Sequence, residues 1–124
     1  MTSTVGAHIS LGKKGEELAR RFLQTLGYRI VTGNYKTKFG EIDLIAEEGE
    51  DLVFIEVKTR TTVNFGLPAE AVSRAKQTTI MQVARHYLAD ESRTDCSVRF
   101  DVVAVLLGKG RQPEIEVIKH AFEL

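Results

Sequence analysis

Gly40 to Arg60 reads GEIDLIAEEGEDLVFIEVKTR, two apolar runs separated by an acidic, glycine-containing turn, which is the pattern of a β-hairpin. A strand sends alternate side chains to opposite faces. In the first run Glu41 and Asp43 therefore take one face and Ile42 and Leu44 the other; in the second, Val53, Ile55 and Val57 share a face, and Phe54, Glu56 and Lys58 share the opposite one. Pairing of the two strands brings three carboxylates and one ammonium to one side of a small sheet. Because Val53 to Val57 is apolar apart from Glu56, this strand is expected to be covered on both faces. A carboxylate in such a run needs a partner.

That arrangement suits a hard cation. Mg²⁺ takes one or two carboxylates together with waters and phosphate oxygens; Asp43 and Glu56 can supply the carboxylates, with the Val57 carbonyl as a further oxygen. An ion there acidifies a bound water and neutralises charge growing on a phosphate oxygen. Lys58, on the Glu56 face, can orient that water and stabilise the transition state. The competing reading is an ion pair with no chemistry, since exposed Glu–Lys pairs contribute only about 0–1 kcal/mol and structural networks also place charges in half-buried strands. Pattern alone divides evenly between the two.

The order GEIDLI, a turn, then VFIEVKTR resembles the PD-(D/E)xK nucleases, the restriction-endonuclease-like superfamily, and within it the YraN-like bacterial proteins related to archaeal Holliday junction resolvases. The likeness extends to Gly15-Glu16-Glu17-Leu18-Ala19 ahead of Gly27-Tyr28, to Phe65-Gly66-Leu67-Pro68-Ala69-Glu70-Ala71-Val72, to Lys76-Gln77 and to Arg99-Phe100-Asp101-Val102, so it spans about residues 12 to 106. One departure is Ile42-Asp43 where the superfamily name has Pro-Asp, which keeps the aspartate and changes the backbone chemistry ahead of it. The resemblance implies an α/β fold, a restriction-endonuclease-like mixed sheet flanked by helices. It also implies a DNA endonuclease dependent on Mg²⁺ or Mn²⁺ and acting on branched recombination intermediates. In it Asp43, Glu56, the Val57 carbonyl and Glu16 hold the metal, Lys58 positions the attacking water and Gln77 supports the arrangement. Cleavage of a junction needs two sites facing two strands, so a homodimer is implied as well.

The 124 residues fit one domain, and 43% hydrophobic with 27% charged residues exclude a disordered or fibrous chain. The single Cys96 forms no internal disulfide, no Cys/His set has zinc spacing, and a core thiol is its expected role. No early apolar run reads as a signal peptide and none approaches the ~20 residues of a membrane span, so the cytoplasm is the expected location and a membrane is not an expected partner. Lys and Arg number 17, as do Asp and Glu; net charge gives no pull toward nucleic acid. A DNA-binding face therefore requires segregated charge.

The first ten residues lack periodicity and are expected to fray. Ser10 caps a helix from Leu11 to Leu26 that Gly27 ends. Within it Glu16 lies at the edge of the face carrying Ala19 and Leu23, while Glu17 aligns with Arg20, Arg21 and Gln24 on the wet face. Glu16 thus points at the sheet, or else only favours the helix dipole, worth about 0.3–1 kcal/mol.

A first strand follows over Tyr28 to Tyr35, then a basic turn whose Lys36 and Lys38 either touch a phosphate backbone or are simply solvated. The acidic loop Glu47 to Asp51 is expected to face away from DNA. Thr59 to Pro68 reads as a loop and candidate lid, with Arg60 its foremost substrate contact. A second helix from Ala69 to Ala89 buries a stripe of Ala71, Val72, Ala75, Ile80, Val83, Ala84, Tyr87 and Leu88, with Arg74, Lys76, Gln82 and Arg85 on other faces. Gln77 is read either as a site residue, on the resemblance, or as a solvated helix glutamine. His86 is structural, and His8 and His120 carry no motif. Arg99 to Leu107 reads as a central strand in which Arg99 and Asp101 pin the sheet against the helices, the alternative being that Asp101 supports the metal site from a distance. Glu114 to Lys119 closes an edge. Helix, three strands, helix and two strands give a mixed sheet packed by helices. Two further classes stay open: a non-catalytic nucleic-acid-binding or protein-interaction module on the same fold, and a salt-linked core without metal.

Overall fold

The computed structural model of the chain describes residues 10–61, 72–93, 95–108 and 110–123. Its elements are α1 (Leu11–Thr25), β1 (Arg29–Thr37), β2 (Gly40–Glu48), β3 (Asp51–Arg60), α2 (Arg74–Asp90), β4 (Ser97–Leu106) and β5 (Glu114–Phe122), the order expected from the sequence. The strands form one five-stranded sheet in the order β1-β2-β3-β4-β5. Every neighbouring pair is antiparallel except β3 with β4. Parallel strands need a crossover, and α2 lies in the one that joins them.

Local chemistry fixes the ends. Ser10 Oγ accepts the Lys13 N–H at 3.1 Å and starts α1; Gly27, at φ 95°, takes the left-handed backbone that turns the chain into β1. Between β2 and β3 the two-residue turn Gly49-Glu50 leaves Glu48 paired with Asp51. Ala19 and Leu23 of α1 pack on Leu44, Ala46, Val53, Ile55 and Val57. Ile80, Val83, Ala84 and Tyr87 of α2 pack with Ile45, Leu52, Phe54 and Phe100. One helix thus covers each face of the sheet, and the alternation expected for Val53 to Val57 is present. No described helix is long and apolar enough to cross a membrane.

Several expectations are corrected. Ile42 and Leu44 do not share a face: Ile42 packs on the α2 side and Leu44 on the α1 side. The cause is local. The β2–β3 ladder runs from Glu48/Asp51 to Leu44/Ile55, and at the next position the Asp43 side chain takes the Val57 N–H at 2.8 Å. On the other flank, Asn34 sits between the pairs Gly33/Leu44 and Tyr35/Ile42 with a left-handed φ of 52°.

Strand β3 continues through Thr59 and Arg60, so these are not loop residues. Thr62 to Pro68 of the lid candidate and the motif from Phe65 to Ala71 lie outside the described residues, as do the first nine. Helix α2 starts at Arg74, capped by Ser73 Oγ accepting the Lys76 N–H at 3.1 Å, rather than at Ala69. Ala75 is exposed, not part of the buried stripe. Lys36 belongs to β1, which runs two residues past Tyr35. Cys96 is half-buried rather than a core thiol, its Sγ 3.7 Å from the Arg93 carbonyl. His86 pairs with Tyr35 through a 3.0 Å contact to the phenol oxygen, a structural role as expected.

Arg99 and Asp101 do pair, but not to hold the helices. Asp101 is wholly buried. It accepts from Arg99 Nε and Nη2, each at 2.8 Å, from the Tyr28 hydroxyl at 2.7 Å and from the His120 N–H at 3.2 Å. Arg99 also donates to Asp51 at 3.0 Å and to Glu48 at 2.7 Å. Glu48 in turn accepts from Lys119 at 2.9 Å. This cluster joins the start of β1, the β2–β3 turn, β4 and β5. It also takes up the acidic loop that was expected only to face away from a ligand.

Candidate active site

Where the ladder gives way at Asp43, the opposite end of β3 from the Arg99 cluster opens a cleft of about 500 Å³. Asp43 and Glu56 form its floor, only 9% and 6% exposed. Burial, and next the charge of Glu56, push the Asp43 carboxyl up to about 7 against the opposing pull of the Val57 N–H. Glu56 Oε1 is buried without a hydrogen-bond partner. Its other oxygen, Oε2, lies 3.8 Å from Lys76 Nζ.

Helix α1 delivers Glu16. A Cβ on Gly15 would stand 1.9 Å from Thr59 Oγ1 and 2.9 Å from Thr59 Cβ, so only glycine lets α1 lie this close to β3. Glu16 lines the cleft and is half-buried, whereas Glu17 is exposed and pairs with Arg20 and Arg21, as the helical spacing indicated. Burial and then the charge of Asp43 raise the Glu16 pKa, while Lys13, 3.9 Å away, opposes them. With its amide oriented to satisfy both neighbours, Asn34 donates to Glu16 Oε1 at 3.2 Å and accepts from Lys13 Nζ at 3.3 Å. Gly15→Ala is expected to lower stability: overpacking typically costs about 1–3 kcal/mol, more than the roughly 1 kcal/mol of helix propensity gained. Urea unfolding measures it, and an unchanged midpoint would show that α1 can shift freely.

Glu16 of α1, Asp43 of β2 and Glu56, Val57, Lys58 and Arg60 of β3 all line this one cleft, with Glu41 beside them. Gln77 does not: its Nε2 donates to the Val72 carbonyl at 3.0 Å. Lys36 and Lys38 are exposed near the first hairpin turn, away from the lining. Sequence reasoning missed Lys76, which lines the cleft on the far side from α1. A signal existed, for Lys76 stands four and seven residues ahead of Ile80 and Val83 on the buried stripe. Asn34 gave none beyond asparagine's tolerance of left-handed backbone.

Among the described residues no three Asp, Glu, His or Cys side chains are placed to hold one ion together. The donor set is instead two adjacent buried carboxylates, one with an unused oxygen. That fits a hard cation which takes one or two protein carboxylates and completes its shell with water and phosphate.

In chelator the stability of the protein carries the mark of this pair. A carboxyl whose folded-state pKa lies at about 7 instead of 3.8 binds a proton that the unfolded chain has released, so its contribution to stability falls as pH rises across that window and levels off above it. Unfolding measured at pH 5 and pH 8 should show the decline, and Asp43→Asn should flatten it; equal slopes for both proteins would contradict the assignment.

The two layers of helix, the five-stranded sheet and the carboxylate pair with lysines at its rim define a mixed α/β protein with an acidic cleft edged by basic side chains. By comparison with known proteins, the chain belongs to the uncharacterised protein family UPF0102, whose profile matches residues 15–105, in agreement with the YraN-like grouping suggested by its motifs. It is 48% identical over 115 residues to the UPF0102 protein of Rhodococcus opacus, covering 93% of this chain and 98% of that one. It is also 43% identical over 113 residues to the UPF0102 protein of Caldicellulosiruptor saccharolyticus, covering 90% and 96%.

Proposed function

We propose that this chain is an endonuclease that hydrolyses phosphodiester bonds in DNA with the help of Mg²⁺ or Mn²⁺. Branched recombination intermediates are among its substrates, and it acts in the cytoplasm as a homodimer on a restriction-endonuclease-like form of the sheet. The observation that carries the reading is the buried Asp43–Glu56 pair with its unpartnered Oε1. Two carboxylates buried side by side cost the fold stability unless a proton or a cation joins them, and a divalent cation is the partner that would give the pair a chemical task.

Asp43 and Glu56 are the residues that would hold the metal, with Glu16 and the Val57 carbonyl at its margin; when bound, it would acidify a water and withdraw charge from a phosphate oxygen. The remaining work falls to the chain itself. Lys58, lining the same cleft, orients the attacking water and offsets the negative charge that develops on the phosphorus oxygens. Arg60 at the cleft, and Lys36 and Lys38 on the neighbouring hairpin, hold the strand by its phosphates. Gln77 acts indirectly, fixing the Val72 backbone ahead of α2.

The test is a panel of single-stranded, duplex, flap and four-way DNA with each metal: metal-dependent cutting supports the reading, and no cutting of any substrate opposes it. A module that binds DNA without cutting is the second reading, favoured by the absence of any three-ligand metal group among the described residues. Its affinity would fall with salt and be indifferent to Asp43→Asn.

A further inference from the structure

Lys76 is placed where a merely solvated lysine would not be. It is the third residue of α2, at the positive end of the helix dipole, where an acidic side chain is favoured and a basic one is not. Its ammonium is 3.8 Å from Glu56 Oε2, close enough to offset charge and too far for a hydrogen bond. The other oxygen of the same carboxylate is left without a partner. A lysine built to lock Glu56 in place would satisfy that oxygen or approach closer. This one is 38% exposed, on a flexible four-carbon stem that can reach elsewhere.

We propose that Lys76 is a displaceable counter-ion: it balances Glu56 while the cleft holds no metal, and it turns to a phosphate of the substrate strand once a divalent ion takes its place. The inference rests on the metal-dependent reading of the cleft and adds a coupling to it. Metal and ammonium compete for one carboxylate, so Lys76 weakens metal binding in the absence of DNA. Metal and DNA then help each other, because the ion frees a cation for the phosphate; linkage makes the help mutual. The protein would hold its ion firmly only with a substrate strand in place.

The experiment is calorimetric titration of Mn²⁺ into the full chain, as wild type, Lys76→Met and Lys76→Arg, with circular dichroism to check that each is folded. Lys76→Met should bind Mn²⁺ about tenfold more tightly than wild type, and Lys76→Arg, which keeps the charge, should not. In parallel, the salt dependence of binding to a short duplex is measured with chelator and with Ca²⁺. The slope of log affinity on log salt should steepen by about 0.9, one phosphate contact, on adding Ca²⁺ to wild type but not to Lys76→Met. Equal Mn²⁺ affinity in wild type and Lys76→Met overturns the counter-ion role while leaving the metal site standing. Failure of all three proteins to bind Mn²⁺ overturns the metal-dependent reading itself, and the coupling with it.

Discussion

Asp43→Asn is expected to slow the proposed metal-dependent cleavage of DNA by about 10²–10³-fold, on the order of the loss when one preorganised charge stabiliser is taken away, and at the same time to make the metal-free protein more stable. The two effects share one cause. Asp43 is buried beside Glu56, and burial with like charge already drives its carboxyl to about 7. A neutral amide keeps an oxygen to accept the Val57 N–H, now at 2.8 Å from the carboxylate, and sheds the charge conflict. With each unit of pKa shift equivalent to about 1.4 kcal/mol, and allowing for relaxation around the site, a gain of about 1–2 kcal/mol at neutral pH is expected. Lys58→Ala should lose a comparable factor in the rate of cleavage while still binding Mn²⁺, because Lys58 faces the cleft without belonging to the carboxylate pair. Cleavage assays and thermal unfolding in chelator together decide the matter. A structural ion pair would give the opposite sign, with loss of stability on substitution and no change in any reaction.

Arg99→Met should be the most damaging single change to folding. Asp101 has no exposure, and the guanidinium supplies two of the four hydrogen bonds that hold its carboxylate. Removing one partner of a buried pair leaves an uncompensated charge, which costs about 3–5 kcal/mol. Glu48 and Asp51 lose their donor as well. Burial alone would raise the pKa of Glu48, but hydrogen bonds from Lys119 and Arg99 outweigh it and hold it below the ordinary value. The matching change Asp101→Asn with Arg99→Met should recover part of the loss, since a neutral amide tolerates burial better than an unpaired carboxylate. Denaturant titration of the single and double variants measures it; a single variant as stable as wild type would mean that water reaches the cluster.

Much of this molecule is legible in its sequence for reasons that are local. The hairpin from Gly40 to Arg60 shows because alternation and a two-residue glycine turn are short-range signals. Glu16 is separable from Glu17 because a helix repeats every 3.6 residues and the neighbours of each declare its face. What stayed hidden is set by contacts far apart in the chain. Nothing near Arg99 announces that Tyr28, Glu48 and Asp51 will meet it. Lys76 reads only as a residue off the buried stripe, because nothing local shows that the start of α2 meets β3 at Glu56. Ile42 was placed wrongly because alternation assumes an unbroken ladder, and the ladder breaks where Asp43 turns its side chain to the backbone of β3. Ile42 and Lys76 thus lie by the cleft, where local regularity has been given up to open it, whereas the Arg99 cluster at the other end of β3 is hidden by distance along the chain alone.

The parallel pairing of β3 with β4 joins Asp51 to Ser97, a span of 46 residues that must close before the sheet is whole, whereas β1, β2 and β3 follow one another as a meander. Long closures are entropically slow. As the chain leaves the ribosome, N-terminus first, the two buried acids of the cleft, Asp43 and Glu56, emerge in that early meander, and the helix that bears Lys76 arrives only afterwards. A nascent chain therefore passes through an interval in which Asp43 and Glu56 are together before Lys76 can balance them.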